Sequence, residues 1–108
     1  MDLVDAVYDI TENFPNTERF GLSSQMQRAA VSIPSNIAEG YGRKHRGDYI
    51  RFLSIARGSL CEIETQLLIS VRRKYTAQEQ IDPAWQLCQR VGQMLHRLME
   101  SLERTQPK

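Results

Sequence analysis

A chain of 108 residues, 41% hydrophobic and 25% charged with a formal net charge of +1, has the make-up of a single folded domain spanning 1–108; its size and balance exclude intrinsic disorder, a fibrous repeat and a second domain. No apolar run approaches the roughly 18 residues that cross a bilayer, and the acidic start Met1-Asp2-Leu3-Val4-Asp5 is unlike a secretion signal, so a cytoplasmic protein without a membrane partner is expected. Cys61 and Cys88 both fall at apolar positions of helical patterns, which predicts reduced core thiols rather than a disulfide scaffold.

Leu3, Val7, Ile10 and Phe14 alternate spacings of four and three, the mark of one apolar helix face, and Pro15 with Asn16 stops the run. A second stripe follows as Leu22, Met26, Ala29, Ile33, Ile37 and Tyr41, with Ser23 or Ser24 as N-cap and Gly40 or Gly42 at its end. Pro34 interrupts this stripe; it lacks an N–H and crowds the carbonyl of Ala30, so the helix should kink or restart there. Ser32, Ser35 and Asn36 are available to bond the freed groups, and Asn36 with Glu39 has capping-box spacing, while a broken helix is also a place for a ligand. Glu39 can alternatively pair with a cation of the third helix.

Asp48 is a candidate cap for that third helix, whose stripe is Tyr49, Leu53, Ala56, Leu60, Ile63 and Leu67, running to about Lys74. Gly58 and Ser59 look like small residues that admit a close neighbour. After a polar connection with Asp82 and Pro83 in the first turn, Ala84, Cys88, Val91, Leu95, Leu98 and Leu102 mark a fourth helix, and Pro107 lies beyond it. Four such stripes with short connections and no strand pattern predict an all-α, antiparallel up-down four-helix bundle.

Charge is distributed unevenly. Residues 1–20 carry five acids against Arg19, residues 21–74 carry nine bases against four acids, and the remainder balances. Arg43, Lys44, His45 and Arg46 sit at the turn between helices two and three, Arg51 and Arg57 follow, and Arg72, Arg73 and Lys74 close helix three. Phosphate contact and ordinary solvated surface both fit the turn cluster. For the last three, cations favoured by a helix C-terminus are an alternative to a nucleic-acid site.

Reaction chemistry has no comparable signal, and no enzyme is expected. His45 and His96 stand in no cluster of metal-ligand spacing, so no metal or other cofactor is expected, and His96 with Glu100 reads as an exposed helical pair. The serines form no nucleophile elbow, and Gly40 and Gly42 lack the strand and the Lys-Ser ending of a phosphate loop. Ile55 and Ile69 lie well over 90° from the stripe between Ala56 and Leu60, where a lone bundle meets water, so a second subunit is a candidate cover.

The run Arg-Ala-Ala-Val-Ser-Ile-Pro-Ser-Asn-Ile-Ala-Glu-Gly-Tyr-Gly-Arg from Arg28 to Arg43, then Asp48 to Leu53 and Gly58 to Leu67, closely resembles the bacterial 23S rRNA intervening-sequence proteins, also called the four-helix-bundle or S23 family. That family resembles the accessory variability protein of diversity-generating retroelements, a homopentameric barrel that works with nucleic acid and a reverse transcriptase. The resemblance therefore implies a homopentamer, RNA or DNA binding and a reverse transcriptase-like partner, and it implies no established activity. Members usually begin with further residues before the point matching Met1, so helix one is expected to be short or to start upstream.

Overall fold

The computed structural model describes residues 1–104, and their order is α1 (Asp2–Thr11), a 3-10 turn (Asn16–Glu18), α2 (Leu22–Tyr41), α3 (Arg46–Arg72) and α4 (Gln78–Arg104). These elements form the expected all-α four-helix bundle, 51 Å long, 24 Å wide and 19 Å deep. Each helix packs on two neighbours in the cyclic order α1, α2, α3, α4, while the diagonal pairs face one another across the core. Pro107 lies outside the described residues.

Spacing of apolar residues fixes which faces turn inward. Met26, Ile33 and Gly40 on α2, Leu53, Ala56, Leu60, Ile63 and Leu67 on α3, and Ala84, Cys88 and Leu95 on α4 are all buried. Leu3 and Val7 close the core from α1. Ile81 extends the α4 stripe at its start and Met99 falls within its span; both are buried too, though neither was counted in it.

Several helix ends differ from the sequence expectation. α1 stops at Thr11 rather than at Phe14, because the residue before a proline is driven out of helical geometry and Pro15 acts through Phe14. Phe14 is still buried, its ring 5.5 Å from that of Tyr75. α2 is capped by neither Ser23 nor Ser24: Gly21 precedes it, and the Leu22 amide donates 3.0 Å to Glu18 Oε1. α3 begins after His45, so Asp48 lies in its first turn, where its charge suits the positive helix end.

Neither proline interrupts its helix. α2 is continuous through Pro34 and does not restart; the Asn36 amide reaches back to the Ser32 carbonyl at 2.8 Å instead of joining a capping box with Glu39. Pro34 instead lines an open apolar groove of about 290 Å³ with Leu3, Ile33, Ile37, Leu87 and Val91. α4 starts at Gln78, so Pro83 stands inside it rather than in its first turn. Gln80 Oε1 accepts from the Ala77 amide at 3.1 Å, half of a capping box, and burial of Ile81 favours the longer helix.

α3 ends in a Schellman arrangement: the Tyr75 amide donates to Ser70 O at 2.9 Å and the Lys74 amide to Val71 O at 3.0 Å. Lys74 occupies the left-handed position at φ 64° that glycine usually takes. This end is tied to α2 through Glu18, whose Oε2 accepts from the Tyr75 hydroxyl at 2.9 Å. The Leu22 amide, then the Tyr75 hydroxyl and nearby Arg73 hold the Glu18 carboxyl below its ordinary value. A depressed carboxylate stabilises the fold above the ordinary carboxylate range and loses that contribution as pH falls. Glu18→Gln is therefore expected to lower Tm at neutral pH, with the gap to wild type narrowing on acidification, as thermal circular dichroism across a pH series would read.

The thiols separate. Cys88 is buried, and burial with nearby Glu64 pushes its pKa up to about 12. Cys61 is exposed, contrary to the core expectation, because it follows the core residue Leu60 and so turns about 100° away from the stripe. A thiol-reactive chromophore should label Cys61 promptly and Cys88 only after denaturation.

Candidate nucleic-acid interface

The junction of α2 and α3 carries Arg43, Lys44 and Arg46 of the basic segment. Gly42 closes α2 and its amide donates to Ala38 O at 3.2 Å, while the extended backbone of His45 opens α3. Only residues 42–45 intervene, so the end of one helix and the start of the next share a surface. Gly40 makes the close approach there: a β-carbon on it would lie 2.8 Å from Phe52 Cβ and 2.9 Å from Tyr49 Cδ1. Ser59 also meets α2, sharing a 2.9 Å hydrogen bond with Ser32. Gly58 does not: nothing lies within 4 Å of where its β-carbon would be.

Phe52 is half-buried at this approach, and its ring carries two cations. The Arg43 guanidinium carbon lies 5.0 Å from its ring centroid and that of Arg51 4.6 Å, distances at which a positive charge is drawn to the π-face. Glu39 Oε1 accepts from Arg43 Nη2 at 2.6 Å, so Glu39 pairs one turn along its own segment and not with α3. Arg43, Lys44, Arg46 and Arg51 outnumber Glu39 and Asp48 by two charges.

Tyr41 belongs to this surface and not to the core. It is 77% exposed, its ring T-shaped to Tyr49 with centroids 6.1 Å apart. The sequence stripe placed it inside because Ile37 lies four residues back. The buried register is Met26, Ile33 and Gly40, which puts position 41 about 100° off the core.

The other expected cations are not brought to the junction. Arg57 follows Arg51 by six residues, about 240° round the helix, and lines a separate groove between α3 and α4 with His96 and Arg97. Arg72, Arg73 and Lys74 sit at the opposite end of α3, roughly 40 Å away, and Arg73 acts on Glu18. Ile55 and Ile69 are each 41% exposed on α3. His96 Nε2 lies 3.7 Å from Glu100 on an exposed face. Among the described residues no three His, Cys, Asp or Glu side chains are grouped to hold a metal ion, and no helix is long and apolar enough to cross a membrane.

The sequence did not single out Phe52, Gly40 or Tyr41 as parts of this surface. An aromatic bracketed by glycines and followed by Arg43 and Lys44 was the available signal, since interleaved aromatics and bases suit nucleic-acid surfaces.

Because Gly40 is wedged against a Cβ and a backbone oxygen, its substitution has a defined consequence. Overpacking costs about 1–3 kcal/mol, partly offset by the roughly 1 kcal/mol gain in helix propensity on replacing glycine by alanine. Gly40→Ala is expected to destabilise the protein by about 1 kcal/mol in urea unfolding, with no loss of helix content at low denaturant.

Comparison with known proteins adds the lineage. The family model described as 23S rRNA-intervening sequence protein matches residues 1–97. The chain belongs to that family. A solved structure of a protein of unknown function from the S23 ribosomal protein family of Bacteroides thetaiotaomicron superposes with a TM-score of 0.71 at 24% identity, covering 90% of this chain and 97% of that one. At that identity the likeness speaks to the fold. No curated protein matches the sequence. As a 23S rRNA-intervening sequence protein, the chain carries the junction of α2 and α3 inside the matched region.

Proposed function

We propose that the protein is a non-enzymatic, cytoplasmic homo-oligomer that binds nucleic acid, with RNA as the preferred ligand. The observation that carries this reading is the junction surface, where two guanidiniums are held over Phe52 beside Lys44 and Arg46. Ordered cations lose less freedom on meeting a phosphate than free surface chains do. The family name, with its reference to 23S rRNA, supports RNA as the class.

Assembly is supported by the exposed Ile55 and Ile69, which a second copy would cover, and the resemblance to the accessory variability protein favours five copies. A ring repeats the basic junction and gives avidity that one copy lacks. The whole of 1–108 acts as one domain in this reading.

A second reading is a structural or protein-docking oligomer in which the junction cations pair with the acidic helix of a neighbour. It is favoured by Asp2, Asp5, Asp9 and Glu12, all exposed on or just past α1. Light scattering coupled to ultraviolet absorbance on the purified protein separates the two. A multimer that retains or takes up RNA supports the proposal; a multimer that binds none, even at low salt, supports docking, and a monomer contradicts both.

A further inference from the structure

We infer that the exposed ring of Tyr41 is a stacking platform for an unpaired base, so that the junction of α2 and α3 takes single-stranded in preference to duplex nucleic acid. The inference rests on the nucleic-acid reading above and adds the form of the ligand.

Three features of the junction lead there. Tyr41 keeps 77% of its surface open while Tyr49 holds its ring in a T-shaped contact, so the ring is both oriented and accessible. Phe52 is committed: Arg43 and Arg51 stand over it at 5.0 and 4.6 Å. Both cations belong to the same helix junction as Tyr41, with Arg43 two residues on in the chain and further steadied by Glu39. An aromatic face beside ordered cations matches a nucleotide, whose base offers a π-face and whose phosphate offers a charge.

The same geometry discriminates against a duplex. Bases inside a double helix are stacked on one another and their faces are unavailable to a surface ring, whereas a splayed single strand presents them. Phosphates occur in both forms. The cations alone therefore bind either, and Tyr41 supplies the difference. Because every base has a π-face, the platform tolerates sequence.

Fluorescence anisotropy of the full chain with a labelled twelve-nucleotide RNA, single-stranded and annealed to its complement, tests this. Tyr41→Ala should weaken single-strand binding by about ten-fold, leave duplex binding and the salt slope unchanged, and leave Tm near wild type; Tyr41→Phe should bind as wild type does. Equal single-strand affinity in Tyr41→Ala and wild type, or an equal loss on the duplex, overturns the platform. The double variant Arg43→Glu/Arg51→Glu distinguishes the two levels. If it loses both ligands while Tyr41→Ala loses neither, phosphate binding stands and base stacking falls; if wild type binds neither ligand, both fall.

Discussion

Replacing Arg43, Lys44 and Arg51 together by Glu is expected to reduce affinity for single-stranded RNA on the order of a hundred-fold and to flatten its salt dependence by about two logarithmic slope units. Each cation lost from a single-strand contact removes roughly 0.7 from the slope of log affinity against log salt, because one fewer counterion is released. Arg43 and Arg51 leave Phe52 in this variant, so the surface loses order as well as charge. The comparison variant is reversal of Arg72 and Lys74, which stand at the far end of α3. That change should barely alter RNA affinity. Anisotropy titrations at several salt concentrations read both quantities, and a triple variant indistinguishable from wild type would remove the junction as the contact surface.

Leu67→Ala and Ile69→Ser, two positions apart on α3, should fail in opposite ways. Leu67 is fully buried, and its truncation is expected to cost about 3 kcal/mol through lost apolar transfer and the cavity left behind. For a chain of this size that lowers Tm by roughly 10–20 °C. Ile69 is 41% exposed, and serine there should change the stability of a single chain by less than about 0.5 kcal/mol. Its expected effect is on mass: the species in light scattering shifts toward the monomer while helix content is kept. An unchanged mass for both Ile69→Ser and Ile55→Ser would remove this face as the subunit contact.

What the sequence made legible follows from the range of the interactions involved. The interior of each helix is set by residues three and four apart, so the stripe from Leu53 to Leu67 was readable and is buried in full. The end of α2 at Tyr41 was readable too, since Gly42, one of the two glycines on offer, ends it locally, whereas its start at Leu22 precedes both expected serine caps. Ends decided by distant partners were not. Glu18 serves the start of α2 and also binds Tyr75, 57 positions away, and nothing near Glu18 announces that partner. α4 starts early because Ile81 finds a place in a core built by the other helices. Pro34 shows the same override: its local preference for a break yields to the burial of Ala29, Ala30 and Ile33 before it and Gly40 after it on one face.

The junction divides likewise. Its charges were visible as a run, but their arrangement depends on Gly40 admitting Phe52, a contact between helices. Arg57 shows the converse, since nearness in sequence to Arg51 put it with the cluster while helical rotation carries it to another groove.

In the proposed function, ordered cations at one end of the bundle hold a phosphate chain. The most direct measurement of that contact is the affinity of the full wild-type chain for single-stranded RNA across a salt series. Binding is expected at low salt, its logarithm falling linearly with the logarithm of salt concentration, with a slope of about two or more for the contacts at the junction. No binding at the lowest salt, or an affinity indifferent to salt, would contradict it.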